Sequence, residues 1–267
     1  MTRFSQPSFL GGPPQPLVLT MDGQGRTPFE LYRLIAPISQ PSFLLDSGKG
    51  TDGGARYSFL GSSPFSVLTG RQGQASLRTH EGGECTSNDP FGSLCRLFAG
   101  PQIEAPPGLP AFWGGAVGYL SYDLVRDFET LPSIAKDDLR LPLLQFGLYD
   151  IITSVDHQTD RLQIIFCPPM ERFLGEPRAE LYREGLDRLA EWEARLSGRP
   201  APLKNLPPLD QMDFHPNQTR DAYLDRVRRC QEYIVAGDIY QANLSHRFTL
   251  HPPSAYNDVA DRQPYEQ

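Results

Sequence analysis

The chain has 267 residues, 39% hydrophobic and 21% charged, with 32 acidic against 25 basic side chains and a formal net charge of −7. That composition supports a globular core, and the mild acidity speaks against a nucleic-acid partner, because phosphate recognition calls for a basic face. No apolar run approaches the roughly 18 residues that span a bilayer, and residues 1–7 lack a signal peptide's apolar stretch, so a cytoplasmic protein with no membrane partner is expected. The 26 prolines and 24 glycines point to many turns between short strands. Cys85, Cys95, Cys167 and Cys230 are scattered without CxxC spacing, which leaves neither a zinc knuckle nor a redox pair to expect.

In chain order, residues 16–20 read as a short strand, and 28–35 as a helix with Thr27 at its N-cap and Pro28 in its first position. Residues 42–47 form an apolar strand closed by Gly48 and Gly50, and after a Gly-rich loop the sheet resumes at 56–61. Alternating apolar residues around a Gly-bearing turn make 65–70 and 74–78 a hairpin. Residues 112–123 are an apolar strand with glycines at 114, 115 and 118, read as structural glycines at a close backbone approach. Residues 144–155 and 161–167, β-branched and apolar, form a second hairpin, and 181–196 carry helical periodicity. Residues 197–216 are a Pro-rich linker. Thr219 then caps a helix with Tyr223, Val227, Cys230 and Ile234 on one face, Gly237 ends it, and 239–250 read as a strand. The fold class is α+β, antiparallel sheets with packed helices, in two domains at 1–205 and 206–267.

Three stretches together resemble a known family. Residues 43–48 with 54–61 (FLLDSG and GARYSFLG) match its leading strand pair. Residues 114–123 (GGAVGYLSYD), followed by Arg126, Phe128-Glu129 and Leu131-Pro132, match its glycine-rich signature. The stretch Gly237-Asp238-Ile239-Tyr240-Gln241, after a helix opening Thr219-Arg220 with Tyr223 close behind, matches a third. In this order and spacing they resemble the chorismate-utilising enzymes, specifically aminodeoxychorismate synthase component I and anthranilate synthase component I. The resemblance covers roughly 40–248, the N-terminal half of that family's length.

The resemblance implies an enzyme that aminates chorismate with the aid of Mg²⁺, using ammonia from a glutamine amidotransferase partner. Asn243-Leu244-Ser245 favours the aminodeoxychorismate branch, on the way to 4-aminobenzoate and folate; the alternative is the anthranilate branch, which serves tryptophan. The family's catalytic and metal-binding residues lie in its second half. Neither the P-I-K-G-T nor the P-I-A-G-T segment occurs here, and Lys204 in the linker is no substitute, so no catalytic residue, no metal ligand and no cofactor of its own are expected for this chain. The expected catalytic partner is the missing half, carried as a separate chain, and chorismate binds only with it. A non-catalytic module that binds an amino acid or a subunit is the competing class.

The resemblance also implies an L-tryptophan pocket at Ser47, Gly54, Ala55, Arg56 and Tyr57, with Asp238, Tyr240, Gln241 and Asn243 facing the missing half. A plainer chemistry stands beside each. Ser47 ends a strand, Arg56 covers apolar surface with its stem, Arg126 and Glu129 make a surface pair at i, i+3, and the five histidines, without ligand spacing, are solvated or structural.

Overall fold

The computed structural model describes residues 3–5, 12–36, 40–47, 56–100, 103, 106–132, 137–202 and 213–250. It falls into two compact units, Met1–Ala201 and Pro202–Gln267.

The first unit holds eleven described strands: β1 (Arg3–Ser5), β2 (Leu17–Asp22), β3 (Ser42–Leu45), β4 (Tyr57–Ser62), β5 (Ser66–Arg71), β6 (Gln74–Thr79), β7 (Glu84–Ser87), β8 (Gly115–Leu120), β9 (Leu144–Tyr149), β10 (Ile151–Asp156) and β11 (Arg161–Phe166). Its described helices are α1 (Pro28–Ile35), α2 (Pro90–Leu97), α3 (Met170–Gly175) and α4 (Arg178–Leu196), with a 3-10 turn at Tyr122–Asp127. The strands form a six-stranded sheet, β1-β2-β11-β10-β4-β3, and a five-stranded sheet, β7-β6-β5-β9-β8. Every pairing is antiparallel.

One face of the six-stranded sheet packs under α1 and α4. Leu181, Gly185, Leu189, Trp192 and Leu196 recur every three to four residues, which lays one stripe of α4 on the sheet. Gly185 is required there: a Cβ would meet Leu17 and Phe166 at 2.6 Å, and both of those side chains are fully packed. The Trp192 indole N–H donates to the Thr153 hydroxyl at 2.9 Å, which satisfies the one polar atom of a buried ring. Thr27 and Glu30 close a reciprocal capping box at the start of α1. The five-stranded sheet has its own core, Leu68, Ala75, Leu94, Leu124 and Leu144, between the sheet, α2 and the 3-10 turn.

The α+β class and the antiparallel sheets agree with the sequence reading, and three local expectations are corrected. Residues 144–155 are not one hairpin arm: β9 belongs to the five-stranded sheet and β10 to the six-stranded one, and the chain crosses between them at Asp150. The strand expected over 239–250 shrinks to Phe248–Leu250, because its described neighbour offers three residues to pair with. Arg126 bonds Asp123 at 2.9 Å and the carbonyls of Leu131 and Pro132, where a pair with Glu129 was expected. The elements β7, α2 and α3 were not anticipated; β7 is a polar strand with no apolar alternation to reveal it.

The second unit contains β12 (Phe214–Pro216), α5 (Arg220–Ala236) and β13 (Phe248–Leu250). Thr219 caps α5 and Gly237, at φ 81°, ends it in the left-handed region. None of the seventeen residues of α5 is buried. No described helix is long and apolar enough to cross a membrane.

Candidate functional site

The inner face of the six-stranded sheet, opposite α1 and α4, changes character rung by rung. Side chains alternate between faces along a strand, so the pairings place residues two apart on one side. The first rung holds Val18, Ile165 and Ile152, packed with Phe43 and Tyr149 and flanked by Phe112, Trp113 and Val117. The next runs Thr20, Gln163, Ser154, Phe59, Leu45, and the third Asp22, Arg161, Asp156, Tyr57. The face thus grades from apolar through mixed to charged within three rungs. An aromatic chain crosses it: Tyr57 to Phe59 at 6.2 Å between ring centres, Phe59 to Phe112 at 5.5 Å, Phe112 to Phe43 at 6.2 Å and Phe43 to Tyr149 at 4.8 Å, most of these contacts edge-to-face. Ser154 in the middle rung is fully buried, and its hydroxyl has no hydrogen-bond partner among the described residues.

Polar bonds close the charged end. The Ser47 hydroxyl donates to the Tyr57 carbonyl at 2.5 Å, and the Ser47 N–H donates to the Ser58 hydroxyl at 3.2 Å, so Ser47 pins the end of β3 to the start of β4. Ser58 spends its single proton on Asp46 at 2.8 Å; a hydroxyl has no second proton, so His157, at 2.8 Å, donates from Nε2. Arg56 grips Asp156 with two bonds, Nε at 3.1 Å and Nη2 at 2.7 Å, and its guanidinium lies 4.9 Å from the centre of the Tyr57 ring. That grip, aided by the Thr159 hydroxyl and the Gln158 N–H, holds the Asp156 carboxyl at about 2, below its ordinary 3.8, against the opposing pull of burial.

Of the five pocket residues expected from the sequence, Ser47, Arg56 and Tyr57 come together at this end, while Gly54 and Ala55 lie outside the described residues. The hydroxyl of Ser47 and two donors of Arg56 already serve the sheet itself. The sequence reading did not pick out Phe59, Phe112, Ser154, Asp156 or His157. Period-two spacing in Tyr57-x-Phe59 and Ile152-x-Ser154-x-Asp156 is the signal that places three of them on the inner face of the sheet.

The other expected group sits in the second unit. Asp238, Tyr240, Gln241 and Asn243 follow α5 in an irregular stretch, all exposed, with Tyr240 94% accessible. The Asp238 N–H returns to the Tyr233 carbonyl at 3.0 Å and the Gly237 N–H to Ile234 at 3.1 Å, a tight helix stop. Beyond it His246 stacks on Tyr223 at 5.5 Å and packs on Phe248 at 4.3 Å. Among the described residues no three His, Cys, Asp or Glu side chains converge.

The Arg56–Asp156 pair carries a pH signature. A carboxylate with a depressed folded value adds stability that is complete above its unfolded value, near 3.8, and is lost as pH falls toward about 2. Thermal unfolding of the wild type and Asp156→Asn at stepped pH should therefore show a gap in midpoint that is constant above pH 4 and closes between about pH 4 and pH 2. A gap that stays constant to pH 2 contradicts the pairing.

The sequence of this chain matches the family model for chorismate binding enzymes over residues 40–265. It is 34% identical over 247 residues to anthranilate synthase component 1 of Thermus thermophilus, covering 89% of this chain and 49% of that protein. It is 27% identical over 237 residues to aminodeoxychorismate synthase component 1 of Bacillus subtilis, covering 87% and 48%. The crystal structure of anthranilate synthase component I from Streptococcus pneumoniae shares the fold, with a TM-score of 0.54 at 24% identity over 83% of this chain and 50% of that one. The chain spans about half the length of the curated relatives it matches. With a match that runs through the leading strands, the glycine-rich edge and α5, this chain belongs to the chorismate binding enzyme family.

Proposed function

We propose that this chain supplies the first half of a synthase that aminates chorismate, and that it turns over substrate only when joined by the half its relatives carry beyond it. The observation that carries this reading is α5, a seventeen-residue helix inside the family match with no buried side chain. An isolated helix of that length is marginal in water, and what holds such helices in proteins is packing of one face. Asp238, Tyr240, Gln241 and Asn243 then face the added half. The hard oxygen ligands for Mg²⁺ belong to that half, as the family resemblance implies. Ammonia comes from a glutamine amidotransferase partner.

Two products fit this reading. Asn243-Leu244-Ser245 favours 4-amino-4-deoxychorismate, while the 34% identity to an anthranilate synthase, against 27% to an aminodeoxychorismate synthase, favours anthranilate. The purified chain, given chorismate, Mg²⁺ and ammonium, is expected to form neither; joined after Leu250 to the second half of the Thermus thermophilus relative, it is expected to form an aminated product. Turnover by the chain alone overturns the reading, as does a folded but inactive joined protein.

The second element of the reading is an aromatic amino acid, L-tryptophan, held on the inner face of the six-stranded sheet. The aromatic chain from Tyr57 to Phe112 suits an indole, and Ser47 with the neighbouring backbone suits its charged head group. Calorimetric titration should give a dissociation constant that Tyr57→Ala and Phe59→Ala each weaken by about tenfold, the order of one lost ring contact of 1.4 kcal/mol. Binding that is absent, or indifferent to both substitutions, removes tryptophan from this face.

A further inference from the structure

We propose that the buried hydroxyl of Ser154 selects the side chain of the bound amino acid by accepting a hydrogen bond from a ring N–H. The inner face of the six-stranded sheet then takes an indole in preference to an aromatic ring without that group. The inference rests on the tryptophan reading above and adds the atom that distinguishes the ring.

The ladder fixes where Ser154 points. The hydroxyl of its neighbour Thr153 accepts the Trp192 indole N–H at 2.9 Å on the helix side of the sheet, and successive side chains of a strand point to opposite faces. Along the inner face of β10, Ser154 stands between Ile152, which packs with Phe43 and Tyr149, and Asp156, which Arg56 grips. Across the sheet it is paired with Phe59 on β4 and Gln163 on β11. Directly opposed side chains of antiparallel strands have Cβ atoms about 4.5–5.5 Å apart, so the hydroxyl sits beside the Phe59 side chain.

Its bonding sets Ser154 apart from its equals. Ser58, Ser62, Thr153 and Ser154 are all at 0% exposure in this one sheet. Ser58 bonds Asp46 and His157, Ser62 donates to the Ile35 carbonyl at 2.7 Å, and Thr153 accepts from Trp192. The Ser154 hydroxyl has no partner among the described residues, although the Gln163 amide is carried on the strand opposite. A buried hydroxyl left unpaired is destabilising, and one aimed into a ligand-holding face is explained by a donor that arrives with the ligand.

The spacing suits an indole. With the head group at the Ser47 and Arg56 end, Ser154 is one rung away, two residues or about 6.6 Å at roughly 3.3 Å per residue. That step is comparable to the reach from an amino-acid head group to the far side of an indole. Tyr57 and Phe59, 6.2 Å apart, supply ring walls along it. Phe59, Gln163 and Thr20 are partly open, so a ring enters beside Phe59, whose side chain turns to admit it. An indole N–H is a donor only, and a hydroxyl has lone pairs to receive it. A ring with no N–H leaves the hydroxyl unpaired, and a site built to bond such a group discriminates against ligands that lack it.

The test is calorimetric titration of the chain and of its Ser154→Ala variant with L-tryptophan and with L-benzothienylalanine, in which sulfur replaces the ring N–H. The wild type is expected to bind tryptophan about tenfold more tightly than the sulfur analogue, and Ser154→Ala to bind both with the analogue's affinity. Without ligand, the thermal midpoint of Ser154→Ala should equal or exceed that of the wild type, because the hydroxyl it removes has no partner in the sheet. A preference for tryptophan that survives in Ser154→Ala overturns the inference and leaves the tryptophan reading intact. So does a wild type that binds both ligands alike while Tyr57→Ala and Phe59→Ala still weaken tryptophan. A lowered midpoint in Ser154→Ala shows the hydroxyl satisfied within the sheet and also overturns it. A wild type that binds neither ligand removes the inference and the tryptophan reading together.

Discussion

The first unit is organised around Asp150. This residue joins β9 of one sheet to β10 of the other, it is 2% exposed, and Arg188 reaches it from α4. The Cys167 N–H bonds its carbonyl at 2.7 Å, which ties the end of β11 to the same corner. One carboxylate oxygen takes the guanidinium, and the other has no partner among the described residues. A buried charge in that position depends on its counter-ion, and removing the partner of such a pair costs about 3–5 kcal/mol. Arg188 also lies over the Phe166 ring at 5.3 Å and within 3.8 Å of Glu184, so its stem is fixed by packing as well as by charge. Burial, with Asp150 beside it, pushes the Cys167 thiol up to about 12, which leaves it protonated and unreactive at neutral pH. Helix position, sheet crossing and the inner aromatic face all refer back to this corner.

Much of this was legible in the sequence, because the responsible patterns are local. Thr27, Pro28 and Glu30 announce α1 as a capping box; Thr219 and Gly237 bound α5; the glycine turn of β5 and β6 announces a hairpin. What escaped needs tertiary information. Residues 144–155 form one apolar run whichever sheet they enter, and only the partners Gly147 and Thr153 meet in space reveal the break at Asp150. The expected strand over 239–250 carried suitable residues, but among the described residues only Phe214–Pro216 pair with it, so the ladder is confined to Phe248–Leu250. At the candidate site, Ser47, Arg56 and Tyr57 were found through family resemblance. Phe112, brought in from a separate segment, and His157, from the turn between β10 and β11, have no local mark that links them to Tyr57.

The two units differ in kind. In the first, each sheet has a packed core, and α4 buries a full stripe. In the second, the two described three-residue strands and α5 make contacts through Tyr223, His246 and Phe248, yet no residue of α5 is fully buried, and Val235 is 88% accessible. The stacked His246 has a buried Nε2 without a described partner, a further polar group awaiting a neighbour. A packed first unit thus stands beside a second unit whose described helix has no buried residue, in a chain that spans about half the length of the curated relatives it matches.

The most direct test of that contrast is native-state hydrogen exchange along the chain alone. The account requires the central amides of β10 and β11 to exchange only through global unfolding, slower than those of α5 by a factor of at least a thousand, about 4 kcal/mol of opening free energy. Protection in α5 equal to that of β10 and β11 would show that the second unit is stable by itself, and would contradict the claim that this chain is half of a larger fold.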